Sequence, residues 1–519
     1  MQPLSNPGKT TAIGQSPARG RLVAAAVEWR WHHLALAGVA LLMLAPVLTI
    51  PTHIPVEYNE GWNAYFTQRA IDPASGPLYP PATALISNNY PPLSFYIVGA
   101  AARVIGDPIV AGRLVALFSL LAVALMAGRL ARLAGAAPRW AVATTILFLY
   151  YVTMFFPRYV AMDDPQWSAH AVMLVGLGAL FRSGAGRVRA DAGAVAAAAL
   201  LIVTGLFIKH NLLALPAAVT LWLLIVDRRA AAIWCATGLA ATLAALAVID
   251  LKFGGNFVVD VLQHKRGFNP DGLAAGAIGQ LYFIPLIGVA ATLVKRRREL
   301  HPGVTLLLIF AAIAVPLGIC ERAGDGVSSN AHFEAAIALA ILAGVGLSIA
   351  SDRRPGTSLL GAPVMLVLLA LPLLLLLPSR IVRGATAVAT LNEQAAAWDR
   401  MEAKIAATPG PVACELLAVC YWAGKDFEWD FFNQAERLRA GAPLAPLGDR
   451  IAGRQFAAIA LTRKPGFADS DGQRLPQPLP RLIERYYRPA MTAPLDTVLM
   501  VPRAGDAATV RLAAADGSR

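Results

Sequence analysis

The chain has 519 residues, of which 57% are hydrophobic and 15% charged, with a mean hydropathy of +0.55. That balance excludes an ordinary soluble enzyme and identifies a polytopic membrane protein. The net charge of +13 is carried by short Lys/Arg clusters between apolar runs, the pattern of topology signals, so no nucleic-acid partner is expected. A spanning helix needs about 20 apolar residues, and about 17 at the short limit. After a polar leader at residues 1–32, candidate spans fall near 33–50, 109–128, 139–156, 165–181, 192–208, 211–226, 230–250, 273–294, 303–319, 332–350 and 358–377, which makes eleven. The first is read as a retained anchor, because the leader is long and no small-residue cleavage site follows it. Residues 93–105 are apolar but short, and read as a helix lying at the interface or re-entering it.

The connecting charges give an orientation. Arg129, Arg132 and Arg139 share one loop, Arg182, Arg187 and Arg189 another, and Arg228 with Arg229, Lys295 to Arg298, and Arg353 with Arg354 occupy three more. These loops alternate along the chain, so the positive-inside rule makes them all cytoplasmic together with the amino terminus. The expected organisation is a cytoplasmic segment at 1–32, a membrane domain at 33–377 with an outer loop at 51–108, and a periplasmic α/β domain at 378–519. In that last part polarity is ordinary. "GPVACELLAVCYWAG", "QFAAIAL" and "DTVLMVP" read as short strands, and Thr390 to Ala407 as a helix. Cys414 and Cys420 read either as a disulfide, in an oxidising compartment, or as two buried thiols; Cys235 and Cys320 read as small buried hydrophobes. No internal repeat is visible.

The opposite loops hold the chemistry. The segment Pro51 to Pro92 is too long for a connector and carries "PVEYNEGWNAYF", with Glu57 and Glu60 among aromatic rings. Such residues suit either a solvated loop with an interfacial aromatic belt or a sugar site. In "PRYVAMDDPQWSAH", Asp163 and Asp164 stand side by side between two spans and repel unless a cation, a base or a proton relieves them. Asp164 also reads as the cap of the next helix. Lys209, His210 and Asn211 lie between two spans with almost no loop, where a lysine either snorkels to headgroups or holds a lipid phosphate. His264, Lys265 and Arg266 in "LQHKRGFN" offer the same alternatives. The run "YWAGKDFEWDFF" from Tyr421 to Phe432 reads as a strand and turn, or as a place for a glycan acceptor.

The ordered set "NEGWNAY", "NNYPPLSFYIVG", "AMDDPQW" and "FIKHNLLAL" resembles the GT-C membrane glycosyltransferases of the protein mannosyltransferase and aminoarabinose transferase type (glycosyltransferase family 39 type), over roughly residues 30 to 350. The resemblance implies a GT-C-like α-helical polytopic fold in the cytoplasmic membrane of a bacterium. It implies transfer of a sugar from a polyprenyl-phosphate-linked donor to an envelope lipid, glycan or protein on the outer face. The first residue of that family's Asp-Glu pair is Asn59 here, and an amide is no base. The base is therefore expected among Glu60, Glu57, Asp163 and Asp164, with Glu60 or Glu57 first, Asp164 orienting the acceptor or donor, Lys209 near the phosphate, and Asn59, Tyr90, His210, His264, Lys265 and Arg266 in contact with substrate. No cofactor is required, although Asp163 and Asp164 can bind a divalent metal. Two other readings remain: a transporter or flippase of a lipid-linked glycan, which needs ionisable groups deep along a central path, and a non-catalytic envelope scaffold.

Overall fold

The computed structural model describes residues 17–262, 266–351, 361–462, 474–493 and 496–504. The apolar runs fold as helices: α1 (Pro17–Thr49), α4 (Pro108–Leu133), α5 (Pro138–Phe155), α6 (Gln166–Arg182), α7 (Ala192–Ile208), α8 (Ala214–Val226), α9 (Arg228–Phe253), α10 (Pro270–Gly279), α11 (Ile284–Val294), α12 (Pro302–Arg322), α13 (Phe333–Ser351) and α14 (Ala362–Ala389). Between α1 and α4 lie α2 (Asn59–Ile71) and the short apolar α3 (Leu93–Ile105). The protein is a multi-pass membrane protein. Among the described residues seven segments are long and apolar enough to cross: Trp31–Thr49, α4, α9, Pro270–Val294, α12, Ser329–Ser351 and α14. The runs behind α5 to α8 give helices of 18, 17, 17 and 13 residues. Among the described residues, length and composition alone thus single out seven of the eleven expected spans, and α5 to α8 run between the same two ends of the bundle as shorter helices.

The bundle is built around α13, which is buried along nearly its whole length, whereas α1, over Trp31–Thr49, and α14 leave most of their residues exposed or half-buried. Its sequence "AIALAILAGVGL" is made of small and aliphatic residues that let neighbouring backbones come close. At Gly344 a β-carbon would lie 1.8 Å from Thr144 Oγ1 of α5. Helix starts are fixed locally: Asp107 caps α4, its Oδ1 accepting from the Ile109 and Val110 amides at 2.7 and 3.1 Å, with Pro108 in the first turn.

The basic loops gather at one end. There the Arg139 guanidinium donates to Ser351 Oγ at 3.3 Å, Phe181 meets His301 at 5.9 Å between ring centres, and the Ala190 amide donates to Asp227 at 3.4 Å. Arg353 and Arg354 lie outside the described residues. The other end carries the polar loops and the carboxyl-terminal domain.

That domain begins with α15 (Leu391–Ala406) and continues through β1 (Val412–Cys414), α16 (Leu417–Trp422), α17 (Phe431–Arg439), α18 (Ala445–Ala452), β2 (Ala458–Leu461), α19 (Leu479–Tyr486), β3 (Tyr487–Ala493) and β4 (Thr497–Pro502). The sheet order is β1-β2-β4-β3, with β1 parallel to β2 (Val412 opposite Ala458) and the other pairs antiparallel (Ile459 opposite Met500). One face buries Trp398, Met401 and Ile405 of α15, and the other buries Trp429, Phe431, Ile451 and Phe456. The stretch "GPVACELLAVCYWAG" does not form one strand: it splits into β1 and α16, and a Cys414–Cys420 disulfide joins the two. Cys235 and Cys320 are exposed, against expectation. Cys235 sits on α9, which buries only 11% of its span window, and Cys320 faces a cavity.

Candidate active site

Where α1, α5, α7, α9 and α12 end, the connecting loops converge beneath the carboxyl-terminal domain and enclose a cavity of about 810 Å³. Its acidic wall includes Glu57, in the turn before α2, followed by Asn59 and Trp62. Glu57 is half-buried, and Arg158 Nη1 approaches its Oε2 at 3.4 Å. The protein packed around this carboxyl raises its pKa above the ordinary glutamate value, and the Arg158 charge opposes that rise.

The facing wall is cationic. Lys209 ends α7 in an extended conformation, because the chain must leave one helix and enter α8 within a few residues. Its Nζ rests 3.6 Å from the centre of the Tyr90 ring, which Trp62 buttresses edge-on at 4.9 Å. His210, Arg266 and Arg322 also line this wall, with Glu321 and Asp271 beside them. Arg266 is held by a hydrogen bond to the Asp325 carbonyl at 3.1 Å. His264 and Lys265 lie outside the described residues.

Glu60 is not part of this cavity. It is 0% exposed and clamped by Arg113 of α4, whose Nε and Nη2 donate to Oε1 and Oε2 at 2.8 and 2.7 Å. The Val56 amide at 2.8 Å and the Asp163 amide at 3.3 Å complete the shell. Arg113 also donates to the carbonyls of Thr49, Ile50, Thr52 and Ile54 at 2.7 to 3.1 Å. A carboxylate so enclosed fixes the chain between α1 and α2, and no acceptor can reach it. Glu60, expected as a base, thus stands in a buried joint outside the cavity, with its lone pairs used by the arginine and two amides.

Asp163 and Asp164 do not line the large cavity either. Asp164 Oδ1 accepts from the Gln166 amide at 2.8 Å and so caps α6. Asp163 is packed so tightly on α4 that a β-carbon at Gly112 would fall 2.1 Å from its carboxyl. Burial, with the charges of Glu60 and Asp164, pushes the Asp163 pKa well above the usual carboxylate range. Each aspartate keeps one buried oxygen, Oδ2, without a hydrogen-bond partner among the described residues. These two residues flank a void of about 10 Å³, room for one water or small ion. The donor set therefore suits a proton or a single cation; no cofactor is established.

The carboxyl-terminal domain supplies the roof. Asp430, 0% exposed, accepts from Tyr58 Oη and Trp62 Nε1 at 3.1 Å each and from Asn433 Nδ2 at 2.6 Å. Phe432, Asn433 and Arg474 face the cavity, and Arg474 lies over the Tyr58 ring at 5.3 Å while its Nε bonds Glu415 at 2.8 Å. The run Tyr421 to Phe432 is thus a strap that ties this domain to α2.

Solved structures share this fold. ArnT from Cupriavidus metallidurans in the apo state superposes with a TM-score of 0.57 at 16% identity, over 92% of this chain and 98% of that one. The same protein bound to undecaprenyl phosphate gives 0.53 at 16% identity over the same shares. The Archaeoglobus fulgidus oligosaccharyltransferase tethered to an acceptor peptide gives 0.51 at 11% identity, over 91% of this chain and 74% of that one. The chain has the GT-C fold. No family model and no curated protein matches the sequence.

Within this GT-C frame the structure brings Glu57, Asn59, Tyr90, Lys209, His210 and Arg266 together around one cavity, and leaves Glu60, Asp163 and Asp164 behind its wall. Sequence reasoning missed Arg113, which holds Glu60, and Tyr159 and Arg474, which line the cavity. Arg113 carried a readable signal, since a lone arginine in an apolar run must find a partner inside the protein. Tyr159 and Arg474 carried none.

Proposed function

We propose that this protein transfers a sugar from a polyprenyl-phosphate carrier to an envelope acceptor at the outer face of a bacterial cytoplasmic membrane, the cavity end of the bundle being the outer end. One observation carries the reading: a single cavity is lined both by a half-buried carboxylate, Glu57, and by the cations Lys209, Arg266 and Arg322. Transfer needs that polarity. The acceptor hydroxyl gives its proton to Glu57 as its oxygen bonds to the anomeric carbon. The bond from that carbon to the phosphate oxygen breaks, and the electron pair leaves with the polyprenyl phosphate, whose added charge Lys209 and Arg266 stabilise. The raised pKa of Glu57 brings this base closer to a working pH. Asn59 and the Tyr90 and Trp62 rings offer hydrogen bonding and stacking to the sugar. Asp163 and Asp164 act on the frame: one packs α4, the other caps α6.

The fold supports the donor class, since ArnT of the same fold is known bound to undecaprenyl phosphate. The transporter reading is disfavoured by position, because buried Arg113, Asp163, Asp164 and Lys209 all lie at the same end of the bundle. The test is mass spectrometry of envelope glycans and polyprenyl-phosphate sugars in cells with wild type, a deletion, Glu57→Gln or Glu60→Gln at matched protein level. Loss of one sugar with accumulation of its lipid-linked donor, in the deletion and in Glu57→Gln, is expected. Unchanged glycans in the deletion refute the function, and a fully active Glu57→Gln refutes the base.

A further inference from the structure

Away from the cavity, three side chains with metal-ligating atoms meet where α1 leaves the membrane and α15 begins the carboxyl-terminal domain. His53 Nδ1 lies 2.6 Å from Glu402 Oε2, and Asp399 completes a group whose ligand atoms all lie within 4.8 Å of one another. None of the three lines the cavity. Asp399 and Glu402 are three residues apart on α15 and so share a face. The His53 ring is set in place by stacking on Trp422, with centres 4.6 Å apart and planes 4° from parallel.

We infer that His53, Asp399 and Glu402 form a zinc site that staples the outer loop to the carboxyl-terminal domain. Two carboxylates against one imidazole leave negative charge whichever way the ring is protonated, and among the described residues no Lys or Arg pairs with either acid. A dication removes that imbalance. The donors, one imidazole nitrogen and two carboxylate oxygens, select zinc over calcium or magnesium, which prefer oxygen alone. Zinc bonds of about 2.0 Å in a tetrahedron set donors about 3.3 Å apart, so His53 and Glu402 part by less than an ångström as the ion replaces their shared proton. Their partial exposure, 38% and 22%, leaves room for water as a fourth ligand. The position has a mechanical meaning as well. The carbonyls of Thr52 and Ile54, on either side of His53, both accept from Arg113, and the Arg113 guanidinium lies 5.7 Å over Trp422. A metal here holds the segment that cradles the Arg113–Glu60 joint.

The experiment uses the full chain in detergent, stripped with chelator and dialysed against zinc alone. One equivalent of zinc by elemental analysis and a raised unfolding temperature on zinc addition are expected for wild type. His53→Ala and Glu402→Gln lose the bound equivalent and the thermal shift, and Asp399→Asn, at an exposed position, loses affinity. Absence of stoichiometric zinc in wild type overturns the inference. Retention of the full equivalent in all three variants overturns it too, by placing the metal elsewhere. Glycan transfer is not used as a readout, so failure of this site and failure of the proposed activity remain distinguishable.

Discussion

Arg113→Met removes the joint between α4 and the chain entering α2 while keeping an unbranched side chain of similar reach. In the structure this buried guanidinium makes six hydrogen bonds, two to Glu60 and four to carbonyls of residues 49 to 54. Breaking a buried ion pair by deleting one partner costs about 3–5 kcal/mol, because the remaining carboxylate is left without compensation. Each carbonyl that cannot turn to water adds about 1–3 kcal/mol. Glu60→Gln is milder, since an amide keeps one acceptor for the arginine. The double change to Met at both positions costs less than the sum of its parts, because it leaves no buried charge. Thermal unfolding in detergent, followed by size-exclusion recovery, is the assay. The expected order places Glu60→Gln moderately below wild type and Arg113→Met far below it. Activity per folded molecule separates structure from chemistry, with Glu60→Gln retaining transfer and Glu57→Gln not. Wild-type stability of Arg113→Met, or an inactive but fully stable Glu60→Gln beside an active Glu57→Gln, refutes the assignment of Glu60 to the frame.

Glu57→Gln lowers the transfer rate by about 10²- to 10⁴-fold with an unchanged unfolding temperature, measured on purified protein with a lipid-linked donor. Arg158→Gln removes a charge that holds the Glu57 pKa down, so the carboxylate form appears at higher pH and the acid limb of the pH–rate profile moves upward; an unmoved limb refutes the role of Glu57. Lys209→Ala removes a charged contact worth about 1.5–3 kcal/mol, seen as roughly 10- to 100-fold weaker use of the donor with the acceptor dependence unaltered. Replacing Cys414 and Cys420 by serine reopens a loop with a sequence separation of 6, which lowers stability by about 2 kcal/mol in denaturant titrations of the full chain.

Much of the fold was legible because hydrocarbon imposes a simple rule: runs of apolar residues become helices, and each expected run did. The short helix at 93–105 was readable on the same grounds, and the helix at 391–406 and the strands at 458–461 and 497–502 were readable from local residue patterns in a stretch of ordinary polarity. Strand β3 was not, since "YRPAMTA" carries a proline and little alternation and is defined by its pairing to β4. In the site, Glu57, Lys209 and Arg266 were found because charge at a membrane edge is conspicuous. The distinction between Glu57 and Glu60 was invisible: three residues apart, one faces the cavity and the other faces Arg113, 53 positions away. Arg474 was hidden for a similar reason, because its place over Tyr58 depends on how a separate domain docks.

The docking itself is close. A β-carbon at Gly61 would lie 2.0 Å from the Ala418 backbone nitrogen, so α2 and α16 meet backbone to backbone. This contact sets the order in which a newborn chain acquires a working cavity. The segments that bear Glu57 and Lys209 emerge early from the ribosome, whereas Ala418, Asp430 and Arg474 emerge after every membrane helix has been made. Until that late segment seats itself on Gly61, the earlier residues have no roof and the carboxylate faces open water. On the proposed function, a half-made chain in the membrane holds the reacting side chains but not their enclosure.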